Sequence, residues 1–102
     1  MWSYFIISAF DREGCLDLRL KVRSEHVAYV RANTPETVKL AGPYINQHGE
    51  MIGSMLIISA RTREEAERFI ANDPYSKAGL FADVRVDSWK PAIGALGELG
   101  VL

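Results

Sequence analysis

Two side chains in this sequence could together move a proton near neutral pH. His26 lies in the run Arg23-Ser24-Glu25-His26, and Asp73 in Asn72-Asp73-Pro74-Tyr75. An imidazole, with an unperturbed pKa of about 6.5, both accepts and donates protons at neutrality. A carboxylate bonded to one ring nitrogen fixes the tautomer and stabilises the imidazolium, leaving the other nitrogen for a substrate. Such a pair suits elimination of a leaving group, isomerisation of a lactone, or abstraction of a proton beside a carbonyl. The plainer alternative is that His26 packs locally and Asp73 ends a helix by accepting backbone N–H groups. The residues by themselves favour that alternative.

Candidate supporting residues carry the same two readings. Arg23 suits a substrate carboxylate or phenolate, or a solvated helix face. Gly42-Pro43 would shape a pocket wall, where a small residue admits a ligand close to the backbone, or would simply end a strand. Ser54 would donate a hydrogen bond into a pocket or serve as a small strand residue. Tyr75 and Phe81 would supply aromatic walls or pack in the core.

Other chemistries lack their residues. His26 and His48 fall on different elements with no HxxE or CxxC beside them, so no metal is expected. The glycines form no phosphate-cradling loop, and no cofactor is expected. His48 belongs to an exposed turn. Cys15, the single cysteine, has no neighbouring base and no partner for an intrachain disulfide, which suits a reducing compartment.

Positioning His26 and Asp73 requires a particular order of elements. Trp2 to Phe10 is aromatic and β-branched almost throughout, as in a strand covered on both faces. Leu16 to Asn33 is helical in one or two pieces. Leu16 with Leu20, and Val27 with Val30, each share a face, and Ser24 is a candidate N-cap for a second piece that would begin just before His26. Thr37 to Tyr44 is a second strand, with Gly42-Pro43 calling for an edge, a bulge or a strand end. Asn46 to Glu50, with its His48-Gly49 turn, connects it to a third strand over Met51 to Ala60. Thr62 to Asn72 is the clearest helix: Thr62 and Glu65 have capping-box spacing, and Ala66, Phe69 and Ile70 form its buried stripe. Asn72-Asp73-Pro74 ends it. Phe81 to Trp89 alternates as a fourth strand, slipping by one residue near Ala82.

The order β-α-β-β-α-β predicts an α+β, ferredoxin-like sandwich, an antiparallel sheet with both helices on one face. A chain of 102 residues is one domain, with 91–102 as a C-terminal tail. Apolar residues on both sides of the first strand predict that a second copy covers the open sheet face. A hydrophobic share of 48% and a net charge of −1 fit a globular protein without the field that attracts nucleic acid or an anionic membrane. Arg19, Lys21 and Arg23 read as a solvated face. MWSYFIISAF lacks a basic leader and is too short to span a bilayer, so the expected location is the cytoplasm.

The set Arg23-Ser24-Glu25-His26, Ala41-Gly42-Pro43, Gly53-Ser54, Asp73-Pro74-Tyr75 with Ala78-Gly79, and Val84-Arg85-Val86 resembles the YCII-related (YciI-like) family across residues 2 to 91. The resemblance implies a dimeric α/β barrel whose pocket holds a histidine and an aspartate, which fall on His26 and Asp73, acting on a small molecule. It also implies lyase or isomerase chemistry such as dehydrochlorination of a hydroxylated aromatic. The alternative is a non-catalytic dimer of the same fold that binds a small ligand or assists a pathway. With the resemblance added, the balance turns from a local packing role to a functional pocket.

Overall fold

The alternation of branched and aromatic residues against polar ones places four strands, and a computed structural model describes residues 1–94 of the chain. The elements are β1 (Ser3–Asp11), α1 (Leu16–Ala32), β2 (Val38–Ile45), β3 (Met51–Ala60), α2 (Arg63–Ala71), α3 (Pro74–Lys77) and β4 (Phe81–Trp89). The strands form one antiparallel sheet in the order β2-β3-β1-β4. This is the α+β, ferredoxin-like arrangement expected from the element order.

Strand alternation assigns the two sheet faces. Phe5 and Ile7 of β1, opposite Ile58 and Leu56 of β3, point toward the helices. There they meet Val38, Ala66 and Ile70, with Val30, Phe69, Phe81 and Val86 packed around them. Tyr4, Ile6, Ser8 and Phe10 point the other way. On that face the Phe10 and Tyr44 rings stack with centroids 4.8 Å apart. Both rings lie over Gly53, where an added Cβ would sit 2.6 Å from the Ala9 carbonyl oxygen. A side chain at Gly53 would force apart the central strands.

The slip near Ala82 is a bulge. Phe10 pairs with Asp83 and Asp11 with Phe81, leaving Ala82 as the extra residue. The bulge turns Phe81 toward the helices beside Asp11. Pro43 occupies edge strand β2 opposite Ser54, where its missing N–H costs no ladder bond.

α1 departs from the expected pattern. It is one helix of 17 residues that starts after Cys15 without a side-chain cap. Ser24 is therefore an exposed mid-helix residue rather than an N-cap, and His26 lies well inside the helix. The Leu16–Leu20 pairing does not define the buried face: Leu20 is 52% exposed, whereas Arg19 is 2% exposed. The physical reason is a carboxylate on β1, described below, which draws Arg19 under the helix.

α2 ends as its residues dictate. The Thr62 hydroxyl accepts the Glu65 N–H at 3.1 Å, while the Glu65 carboxylate accepts the N–H of Arg61 rather than that of Thr62. The capping box is thus displaced by one residue. At the other end the Ile70 carbonyl accepts the Asp73 N–H and the Ser76 hydroxyl. The chain then extends at Asp73 and immediately restarts as α3, a short helix with Pro74 in its first turn. No helix among the described residues is long and apolar enough to cross a membrane. The expected tail lies mostly beyond the described residues.

Candidate functional site

Asp73 is held from two directions. One carboxylate oxygen accepts the Tyr75 N–H at 2.8 Å, capping α3. The carboxylate also faces His26, whose Nδ1 lies 2.8 Å from Oδ2 and 3.0 Å from Oδ1. Asp73 has no exposed surface, and the His26 side chain retains 14%. The ending of α2 and the first turn of α3 thus aim one carboxylate at one helix position. Packing of the Tyr75 ring flat against the imidazole, with centroids 4.0 Å apart and planes 17° from parallel, restricts the remaining freedom of His26.

Below this pair lies a second. Arg19 donates through Nε to Asp11 Oδ2 at 2.6 Å and through Nη2 to Oδ1 at 2.9 Å, and Nη2 also donates to Ser54 Oγ at 2.9 Å. The guanidinium carbon sits 4.5 Å from the Tyr75 ring centroid. This corrects the expectation that Arg19 belongs to a solvated face. A buried guanidinium is tolerated because a bidentate carboxylate neutralises it and Ser54 takes a further N–H. Neither Asp11 nor Arg19 stood out in the sequence. The available signal was an acid at the very end of a strand, eight positions before a base on the next helix.

A cleft of about 210 Å³ opens between α1 and edge strand β2. It collects Arg23, His26, Gly42, Pro43, Ser54 and Tyr75 from the sequence candidates, together with Arg19, Val27, Val30 and Arg31 of α1. Gly42 contributes backbone: a Cβ there would meet nothing within 4 Å, so protein packing alone does not require glycine. Ser54 accepts from Arg19 and keeps its own proton to donate. Phe81 does not line the cleft; it packs edge-on against Tyr75 at 5.9 Å. His48 is exposed at its hairpin, away from the cleft.

Two tyrosines feel these charges. Burial, reinforced by the negative Asp73, pushes the Tyr29 hydroxyl up to about 12. That hydroxyl donates to the Phe69 carbonyl at 2.6 Å, fastening α1 to the end of α2. Tyr75 is also raised, chiefly by burial, against the lowering influence of Arg19 and Arg23. Both phenols are therefore neutral hydroxyl donors near pH 7.

Residues 3–90 match the YCII-related domain, and the chain belongs to that family. An uncharacterised protein of Haemophilus influenzae is 34% identical over 94 residues, covering 85% of this chain and 96% of its own. The 5-chloro-2-hydroxyhydroquinone dehydrochlorinase TftG of Burkholderia phenoliruptrix, solved with 2,5-dihydroxybenzoquinone, is 35% identical, with a TM-score of 0.78 over 85% of this chain and 93% of that one. Rv0793 of Mycobacterium tuberculosis, at 18% identity and a TM-score of 0.51 over 93% of this chain and 99% of its own, shares the fold alone.

Proposed function

We propose that this protein is a cofactor-independent enzyme of lyase or isomerase type, acting on a small hydroxylated or carbonyl-bearing molecule through His26 and Asp73. One observation carries the reading: His26 Nδ1 is bound to a buried carboxylate while the ring itself borders an open cleft. Asp73 holds the tautomer and balances the imidazolium, and Nε2 is the atom that meets substrate.

Similarity to TftG supports an elimination such as dehydrochlorination. Loss of HCl from a chlorinated hydroquinone removes two hydroxyl protons and returns one proton to the carbon that carried chlorine. Chloride leaves with the electron pair of its bond, and no oxidant takes part. One imidazole serves such a sequence because it both takes and gives protons. The same proton chemistry serves isomerisation.

The protein works in the cytoplasm as a homodimer closed through the open sheet face, into a dimeric α/β barrel. Leu40 and Phe10, 50% and 37% exposed, supply apolar surface there, and monomeric mass in solution at micromolar concentration would remove this part of the proposal. The catalytic part is tested by chloride release from 5-chloro-2-hydroxyhydroquinone. His26→Ala is expected to lower kcat by about 10²–10⁴-fold with the fold intact, as for loss of a general acid–base group. Undiminished turnover in both His26→Ala and Asp73→Asn would sink the assignment.

A further inference from the structure

The cleft has a one-sided charge inventory. Four of the side chains that line it are basic (Arg19, Arg23, His26 and Arg31), and none of the described lining residues is acidic. The two carboxylates nearby stand behind the wall, each engaged: Asp11 with Arg19 and Asp73 with His26. Arg23 and Arg31 form no ion pair among the described residues. A cleft with low-dielectric walls and uncompensated positive charge concentrates anions.

A second, independent feature points to the same ligand. Tyr75 lines the cleft with 1% of its surface exposed, and its hydroxyl makes none of the side-chain hydrogen bonds among the described residues. The Tyr29 hydroxyl is spent on the Phe69 carbonyl and Ser54 accepts from Arg19, so the Tyr75 hydroxyl and the Ser54 proton are the donors left for a ligand. Arg23 and Tyr75 line the same cleft, and the Arg23 charge, with that of Arg19, lowers the Tyr75 hydroxyl against burial. Arg23 stands about one turn from both Arg19 and His26 on α1. Arg19 is excluded as the anion's counter-charge because Asp11 already occupies its fork.

We propose that the cleft selects a small ring bearing an ionised oxygen (a carboxylate, phenolate or enolate), with Arg23 as its counter-charge and the Tyr75 hydroxyl as a second donor. The volume of about 210 Å³ supports a single substituted ring. It exceeds the roughly 150 Å³ cavity that holds benzene and falls short of the roughly 300 Å³ at which drug-sized pockets begin. The inference rests on the cleft being the functional site, and it adds what that site recognises. An ionised ring oxygen also places electron density beside His26, where a proton is to be exchanged.

The test is calorimetric titration with benzoate, with its neutral isostere benzamide, and with 2,5-dihydroxybenzoquinone. The intact protein is expected to bind benzoate and the quinone at least about tenfold more tightly than benzamide, the worth of one charge-assisted hydrogen bond. Arg23→Gln should abolish that preference without affecting benzamide, Arg23→Lys should restore part of it, and Tyr75→Phe should weaken anion binding while keeping the ring stack. Circular dichroism checks that each variant is folded. Absence of benzoate binding, equal affinity for benzoate and benzamide, or an Arg23→Gln variant that binds benzoate as well as the parent would overturn the proposal. Binding in His26→Ala separates the two claims. Anion preference that survives there alongside lost turnover supports both, while turnover that survives ends only the acid–base reading.

Discussion

Two pairings of a basic side chain with a carboxylate hang from the same side of α1, and they differ in how open they are. Arg19 with Asp11 is the closed pair. Its side chains are 2% and 7% exposed, its bond is bidentate, and Ser54 takes a further N–H. A guanidinium never loses its proton in the working pH range, so this pair has one state. His26 with Asp73 is the open pair: one partner is wholly buried and the other borders the cleft. An imidazole has two protonation states and a second nitrogen. Tyr75 packs against both Arg19 and His26, so the closed pair stiffens the wall beside the open one. What separates the two pairs is therefore not burial of charge but a ring nitrogen left without a protein partner among the described residues, beside a cleft.

The sharpest way to break this contrast is Asp11→Ala. It strands the Arg19 charge in the interior and is expected to cost about 3–5 kcal/mol of stability, read from urea unfolding. A loss below about 1 kcal/mol would mean that Arg19 swings out and the closed pair is dispensable. Replacing both members, Arg19→Met with Asp11→Leu, should bring stability back to near or above the parent, because the desolvated charges disappear together. Smaller still is Ser54→Ala, expected to cost about 1.5 kcal/mol for one hydrogen bond to a charged group.

The open pair can be sharpened through its neighbour Tyr29. Its folded pKa of about 12 stands above the ordinary 10.0, so the stability it contributes is complete below pH 10 and is lost as pH rises through 12. Tyr29→Phe should flatten the fall in stability across that window. Because the charge of Asp73 reinforces the shift, Asp73→Asn should move the Tyr29 ionisation partway back toward 10, seen by ultraviolet absorbance of the phenolate. No movement would mean that Asp73 carries no charge in the folded protein.

Strands, hairpin and α2 were legible because their signals are local. Met51–Ala60 and Phe81–Trp89 have the bounds that their residues suggest, and the slipped alternation at Ala82 marks the bulge. α1 is less legible because its inward stripe is Arg19, His26 and Val30, two of them polar, so apolar spacing points to Leu20 instead. What buries Arg19 is Asp11 on another element, and pairing across elements leaves no periodic trace. α3 leaves no clear sequence signal for a similar reason: Asp73-Pro74 is an equally good helix stop and helix start, and the choice is made by the Ser76 bond back to Ile70. His26 and Asp73 were singled out, and the structure brings their side chains together. Their catalytic task rests on the proposal above.

The single carboxylate that both starts α3 and holds the histidine makes local unfolding and loss of the imidazole's alignment one event. Any opening of the segment from Asp73 to Leu80 that frees the Tyr75 amide to exchange with solvent also releases the anchor of His26. The protection factor of that one amide proton therefore measures the fraction of molecules with an aligned imidazole. A ligand that fills the cleft should slow its exchange without touching it.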